Sequence, residues 1–101
     1  MEIKQTCVAG TMESSDVMVT VEPGSDGIEI ELESVVEKQF GKEIRRAITE
    51  TLEELGVKNV KIKAVDKGAL ECTIRARVKT AVFRSNGKMA CRWRAQEKLG
   101  R

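Results

Sequence analysis

The sequence contains no histidine and no tyrosine, and aromatic side chains make up only 3% of it. Histidine is the side chain best suited to proton transfer near neutral pH, so its absence removes any Ser-His-Asp or Cys-His arrangement from this chain. With so few aromatic rings, the chain also lacks a platform on which the bases of a single strand could stack. The two absences disfavour an acyl-transfer enzyme and a single-stranded nucleic-acid groove.

Long apolar runs, glycine-rich phosphate loops and cysteine motifs are missing as well. No apolar run approaches the roughly 18 residues that span a bilayer, and residues 1–5 lack the features of a signal peptide. We therefore expect a soluble, cytoplasmic protein without a membrane partner. Three cysteines at wide spacing form neither a complete disulfide framework nor a Cys-x-x-Cys zinc knuckle, so no metal site is expected.

The charges are divided unevenly along the chain. Residues 84–101 contain six basic side chains and one acidic one, whereas residues 1–83 contain 12 basic and 15 acidic side chains. Because residues after 85 show no sustained periodicity, we expect one domain over residues 1–85 and a flexible basic tail over residues 86–101. Basic tails bind phosphates with little sequence reading, so a small nucleic-acid-binding α+β module is an alternative function.

Three segments have the alternating pattern of strands with one buried face. Residues 17–21 and 28–32 are separated by turn-forming residues at 22–27, which predicts an antiparallel β-hairpin over residues 17–32. A further alternation predicts a strand near residues 58–65. The hairpin and this strand are expected to form one sheet.

A long amphipathic helix is predicted over residues 35–55. Ser34 and Glu37 have the spacing of a capping box, and Gly56 is placed to end the helix. Apolar residues three or four apart form a stripe that should pack on the sheet. The members of this stripe that we expect to be buried are Phe40, Ile44, Ile48 and Leu52.

Residues 69–83 fit two patterns, because their apolar residues alternate as in a strand and also form a helical stripe. The length of the segment favours a helix, with Asp66 as its N-cap. The fold class is therefore expected to be α+β. We predict a small two-layer single domain in which a β-hairpin and a further strand pack against one long helix and a second helix.

A small-residue turn displays two adjacent hydroxyls between acids, at Glu13-Ser14-Ser15-Asp16. Because the chain has no base to activate them, these serines suit a modification better than nucleophilic attack. A plainer alternative is that both hydroxyls satisfy backbone groups of the turn, as serine often does. The carboxylate runs elsewhere in the sequence fall on faces that should be solvated, so no catalytic residue is predicted.

Three sequence blocks resemble the citrate lyase acyl carrier proteins, which are the gamma subunit of bacterial citrate lyase. These blocks are residues 8–17 around the serines, residues 34–41, and residues 66–72 with Arg75-Ala76-Arg77 after them. The resemblance covers most of residues 3–84. It implies a non-catalytic carrier subunit whose site precedes a strand, unlike the helical bundle of ordinary acyl carrier proteins.

The resemblance further implies that Ser14 is joined through a phosphodiester to a phosphoribosyl-dephospho-coenzyme A group ending in a thiol. The family usually has glycine where Ser15 stands, so this chain offers two adjacent hydroxyls. Glu13 and Asp16 are expected to mark the serine for the prosthetic-group transferase that attaches the group; the alternative is that they are solvated acids of the turn. The acyl group would be held by the thiol of the arm and not by a cysteine of the chain.

The implied partners are the alpha and beta subunits of citrate lyase. The alpha subunit, a transferase, would exchange a bound acetyl group for citrate and release acetate, and the beta subunit, a lyase, would cleave the citryl thioester to oxaloacetate. Tethering raises the effective concentration of the acyl group at both sites without any catalytic side chain from the carrier. A related malonate-processing carrier shares the arm, and an interaction subunit that has lost its arm is a third possibility.

Overall fold

The computed structural model describes residues 1–87, which form a four-stranded sheet with two helices packed against it. The elements, in chain order, are β1 (Cys7–Gly10), β2 (Val17–Pro23), β3 (Ile28–Ser34), α1 (Glu37–Glu54), β4 (Val60–Asp66) and α2 (Glu71–Asn86). The predicted α+β class is confirmed, and so is a helix rather than a strand after residue 69. The short strand β1 is not among the predicted elements.

The sheet has the order β1-β2-β4-β3, in which β2 is antiparallel to β1 and β4, and β3 is parallel to β4. The predicted hairpin is therefore wrong: both of its strands exist, but β4 lies between them. The order places Lys61 beside Glu29 and Lys63 beside Glu31. Opposite charges on neighbouring strands stabilise a sheet, whereas β2 has no lysine to offer the acidic face of β3.

The two ends of α1 are capped differently. Its C-terminus is a Schellman motif, as Gly56 predicted: Gly56 has φ +72°, its N–H donates to Glu53 (3.0 Å), and the N–H of Val57 donates to Leu52 (2.9 Å). The predicted capping box at the N-terminus is wrong. Ser34 is the last residue of β3, and Val36 occupies the N-cap position without a side-chain hydrogen bond.

The core lies between the sheet and the two helices. Its largest fully buried side chains come from β2, β4 and both helices, namely Val17, Val19, Val21, Val60, Ile48, Leu52, Ile74, Val78 and Val82. Three of the four stripe residues predicted to be buried are buried, but Phe40 is 47% exposed. Phe40 lies in the first turn of α1, where it borders an open groove between the starts of the two helices.

The N-cap of α2 lies four residues after the predicted one. Leu70 occupies the N-cap position, while Asp66 accepts hydrogen bonds from the N–H groups of Gly68 (3.2 Å) and Ala69 (2.9 Å). Asp66 therefore organises the turn before the helix rather than the helix itself, and its role as an N-cap was predicted wrongly.

Helix α2 extends to Asn86, the first residue of the segment predicted as a basic tail, and Gly87 is its C-cap. Arg84, in the last turn of α2, is only 7% exposed, and its guanidinium donates to the Val8 carbonyl at 2.9 Å. The rest of the predicted tail, residues 88–101, lies outside the described residues. Within residues 1–87, neither helix has the length and apolar character needed to cross a membrane.

Candidate functional site

Strand ends and helix starts meet at one end of the sheet. Gly10 ends β1, Ser34 ends β3 and Asp66 ends β4, while Val17 begins β2 beside Asp66. Both helices begin there as well. We call this region the serine end, because Ser14 lies in its turn between β1 and β2.

Residues 11–16 form this turn, and its entry requires glycine. Gly10 has φ +95°, and a Cβ at this position would overlap the carbonyl oxygen of Val17. The chain therefore reverses so tightly that no side chain fits between the two strands. Glu13, Ser14 and Ser15 at the tip of the turn are exposed.

Asp16 closes the turn and ties it to α2. Its carboxylate accepts two hydrogen bonds from the Arg77 guanidinium (3.1 and 2.9 Å), one from the Thr11 hydroxyl (2.6 Å) and one from the Val17 N–H (2.7 Å). A two-pronged arginine–carboxylate pair is both strong and directional. Because Arg77 lies on α2, the pair fixes the turn relative to a rigid helix.

These contacts decide the charge state of Asp16. Partial burial by itself raises the pKa of its carboxyl group, but the hydrogen bonds from Thr11, Arg77 and Val17, together with the charge of Arg77, lower it to about 2. Asp16 is therefore ionised at neutral pH and occupied by its partners. It does not serve as a base for the neighbouring serines.

The connection between β4 and α2 holds the turn from the other side. The Ser15 N–H donates to the Lys67 carbonyl (2.8 Å), and the Lys67 N–H donates to the Asp16 carbonyl (2.9 Å). Ser15 adopts φ +64°, the left-handed region that favours glycine, and it is the one non-glycine residue in the described part of the chain with a positive φ.

A third segment joins through Asp66, which is buried. The Ser34 hydroxyl donates to Asp66 (2.8 Å) and accepts from the Val36 N–H (3.1 Å), and the Val35 N–H donates to the Asp66 carbonyl (3.2 Å). The three blocks that carry the family resemblance thus converge at the serine end.

The hydroxyl of Ser14 is left free by these bonds. Neither it nor the Ser15 hydroxyl has a hydrogen-bond partner within residues 1–87. The backbone N–H of Glu13 donates to the Thr11 hydroxyl (3.2 Å) and not to a serine. The alternative that both serines satisfy backbone groups of the turn is therefore wrong. The described residues also contain no group of three side chains able to hold a metal ion.

Arg77 and Thr11 were not identified as site residues from the sequence. Arg77 is 61 positions from Asp16, so no local pattern could link them. A signal was nevertheless present, because Arg77 and Asp66 both lie in the blocks that resemble the carrier family. Of the two residues expected to mark the serine, Asp16 faces inward to its partners while Glu13 is exposed.

Comparison with known proteins gives relatives along almost the whole chain. The family model described as malonate decarboxylase delta subunit (MdcD) matches residues 4–85. The citrate lyase acyl carrier protein of Streptococcus uberis is 58% identical over 93% of each chain, and that of Streptococcus mutans is 63% identical over 84% of each. The corresponding protein of Halothermothrix orenii is 57% identical over 85% of this chain and 92% of its own.

A solved structure has the same fold. It is a chain of a Pseudomonas malonate decarboxylase hetero-tetramer in complex with malonate, with a TM-score of 0.68 and 20% sequence identity. The likeness covers 81% of this chain and 84% of that one.

Proposed function

The chain belongs to the family of citrate lyase acyl carrier proteins, and we propose that Ser14 carries its prosthetic group, a phosphoribosyl-dephospho-coenzyme A joined through a phosphodiester. Carrier proteins of this type hold a prosthetic group, and the relatives are carrier subunits of citrate lyase. The observation that carries the proposal is the exposed, unpartnered Ser14 hydroxyl at the tip of a firmly held turn. An attaching enzyme can reach it without unfolding any element.

The backbone supports Ser14 over Ser15 as the modified residue. Ser15 has a left-handed φ of +64°, and its N–H is committed to Lys67. That conformation explains why glycine suits this position in the family: the position serves the shape of the turn. Ser14 has no such constraint, so its hydroxyl is available for chemistry.

The two predicted recognition residues, Glu13 and Asp16, have different roles in the proposal. Glu13 is exposed and is offered to the prosthetic-group transferase, whereas Asp16 acts by holding the turn through Thr11 and Arg77. Within residues 1–87, no group accepts a hydrogen bond from the Ser14 hydroxyl. The proton of the Ser14 hydroxyl must therefore be removed by the attaching enzyme.

Once attached, the group supplies a thiol that carries acetyl and citryl groups as thioesters. The chain itself presents the attachment point on a turn that is bound to both the sheet and α2. We propose the alpha (transferase) and beta (lyase) subunits of citrate lyase as the enzymes that the arm serves, in the cytoplasm. A tether of this kind raises the local concentration of the acyl group at both active sites.

Attachment can be tested by co-expression with the prosthetic-group transferase, followed by intact mass measurement and peptide mapping. Wild type, Ser15→Ala and Ser15→Gly should gain one adduct, mapped to Ser14, whereas Ser14→Ala should gain none. A complex reconstituted with Ser14→Ala should lose citrate cleavage while the variant keeps its circular dichroism spectrum.

An adduct on Ser15, or an active Ser14→Ala complex, would refute the assignment. The same mass measurement separates the carrier from the two other readings of the sequence. A nucleic-acid-binding module and an interaction subunit without an arm would both show the unmodified mass.

A further inference from the structure

An apolar groove of about 300 Å³ opens at the serine end, between the start of α1 and the segment that leads into α2. Its walls include Val36, Phe40 and Ile44 on one side and Ala69, Leu70 and Ile74 on the other. Two carboxylates, Glu43 and Glu71, stand at the groove. Small-molecule sites in proteins begin at roughly this volume, about 300 Å³.

Exposed apolar side chains concentrate around this groove. The large hydrophobic residues that remain exposed within residues 1–87 are Met12, Val35, Phe40 and Leu70, and all four belong to the serine end. Phe40 and Leu70, which line the groove, are 47% and 72% exposed. Clustered apolar exposure of this kind marks a surface that binds something.

The attachment point of the arm is next to the groove. The Ser15 N–H donates to the Lys67 carbonyl at 2.8 Å, and Gly68, the residue after Lys67, forms part of the groove wall. A group tethered at Ser14 is therefore present at the groove at an effective concentration in the millimolar range, as for short flexible linkers. Weak intrinsic affinity is sufficient for it to occupy the site.

We propose that this groove binds the adenine ring of the prosthetic group, an inference that rests on the proposed attachment at Ser14. The adenosine is in the part of the group nearer the serine, whereas the thiol is at its far end. A purine is flat and uncharged, so it can stack on the half-exposed ring of Phe40 and contact Leu70.

The carboxylates favour one orientation of the arm. Glu43 has no partner within the described residues, so its oxygens can accept hydrogen bonds from the amino group of adenine. The unpaired carboxylate of Glu43 also repels phosphate groups, whereas Glu71 is paired with Arg75 at 3.0 Å. The base is therefore held inward and the phosphates outward, which leaves the thiol-bearing half of the arm free to enter partner active sites.

A permanently attached occupant also accounts for the exposure better than a partner subunit does. The carrier has to leave one enzyme for another during its cycle, and a protein partner would uncover Phe40 and Leu70 at each exchange. The base of a covalently attached arm covers these side chains in the free carrier as well.

The inference is tested by NMR on the modified carrier and on its unmodified form. In wild type, nuclear Overhauser effects should connect the adenine C2 and C8 protons to the Phe40 ring and the Leu70 methyls. Attachment should also shift the amide signals of residues 36–47 and 68–74. Phe40→Ala and Leu70→Ala, which truncate the two exposed side chains of the groove, should lose these contacts and shifts. Phe83→Leu, which changes the other phenylalanine, is the matched control and should keep them.

Intact mass separates a failure at the groove from a failure of attachment. A sample without an adduct at Ser14 refutes the proposed function. A sample with the adduct, but with shifts confined to residues 11–17 and no contact to Phe40, overturns the adenine site alone. If the groove amides then respond only when enzyme subunits are added, the groove is a protein-docking surface instead.

Discussion

The serine end and the opposite end of the sheet are held in different ways. At the serine end, Asp16 and Asp66 each collect hydrogen bonds from several elements. At the opposite end, β2 leads to β3 and α1 leads to β4, and the connections there are held mainly by hydrogen bonds between backbone groups. The Val60 N–H donates to Gly27 (3.0 Å), and the N-terminal amino group donates to Gly56 (2.7 Å).

The difference shows how a short turn can be both exposed and well ordered. The carboxylates of Asp16 and Asp66 and the backbone of Lys67 anchor the turn, so the Ser14 hydroxyl needs no contact of its own and stays accessible. The opposite end has no such task, and it packs its apolar side chain Val57 to 3% exposure. Rigid support beneath an exposed functional group is what presentation of a prosthetic group requires.

The largest expected effect contrasts two glycines of positive φ. Gly10→Ala should reduce the free energy of unfolding by about 3 kcal/mol or more, because a Cβ there adds a backbone overlap to left-handed strain. Gly27→Ala at the opposite end has open space around its Cβ and should lose only about 1–2 kcal/mol. Urea denaturation measures both, and equal losses would show that the tight reversal at Gly10 is dispensable.

The contribution of Asp16 to the free energy of unfolding should depend on pH. Its folded pKa of about 2 lies below its usual value of 3.8, so its ionisation contributes stability above about pH 5, on the order of 2 kcal/mol. This contribution is lost as the pH falls from about 4 to 2. Asp16→Asn should therefore be less stable than wild type at pH 6, and the gap should narrow toward pH 2.

The control for Asp16 is Asp26→Asn, which changes an exposed carboxylate in the loop between β2 and β3. Its effect should stay within about 0.5 kcal/mol, as for most surface substitutions. A gap between wild type and Asp16→Asn that does not change with pH would contradict the role of ionised Asp16.

The contribution of Asp66 is tested through Ser34. Ser34→Ala removes a hydrogen bond to buried Asp66 and should cost about 1–2 kcal/mol, whereas Ser25→Ala at the opposite end should be nearly neutral. A double-mutant cycle with Asp66→Asn should show coupling of at least about 0.5 kcal/mol. Additive effects would place the contribution of Ser34 elsewhere, for example at the Val36 N–H.

The smallest expected effect is a gain. Ser15→Gly removes the left-handed strain of about 1–2 kcal/mol and loses about 0.4–1 kcal/mol to the greater entropy of the unfolded chain. The net result should be a stabilisation of about 0.5 kcal/mol, with attachment at Ser14 unchanged. A destabilised Ser15→Gly variant would mean that the Ser15 side chain has a contact that holds the turn.

Much of the fold could be predicted because it depends on local patterns. The apolar stripe of α1 and its ending at Gly56 follow from spacing and from the left-handed preference of glycine. The predicted hairpin is wrong because a four-residue turn between β2 and β3 does not require these strands to be neighbours in the sheet. The pairing of strands decides their order, and β4 pairs with both. The predicted burial of Phe40 is wrong because this side chain borders the groove between the starts of the two helices, and the periodicity of α1 does not contain the position of α2.

For the candidate site, the sequence by itself determined the residue types: two serines among acids, no base to activate them, and blocks that resemble a carrier family. Tertiary structure alone decided how they are used. Arg77 reaches Asp16 across 61 positions, and the Lys67 carbonyl accepts the backbone N–H of Ser15, so the serine hydroxyls stay exposed on an anchored turn. The physical reason is that hydrogen bonds and burial depend on distance in space, which only the packing of α2 and β4 against the turn establishes.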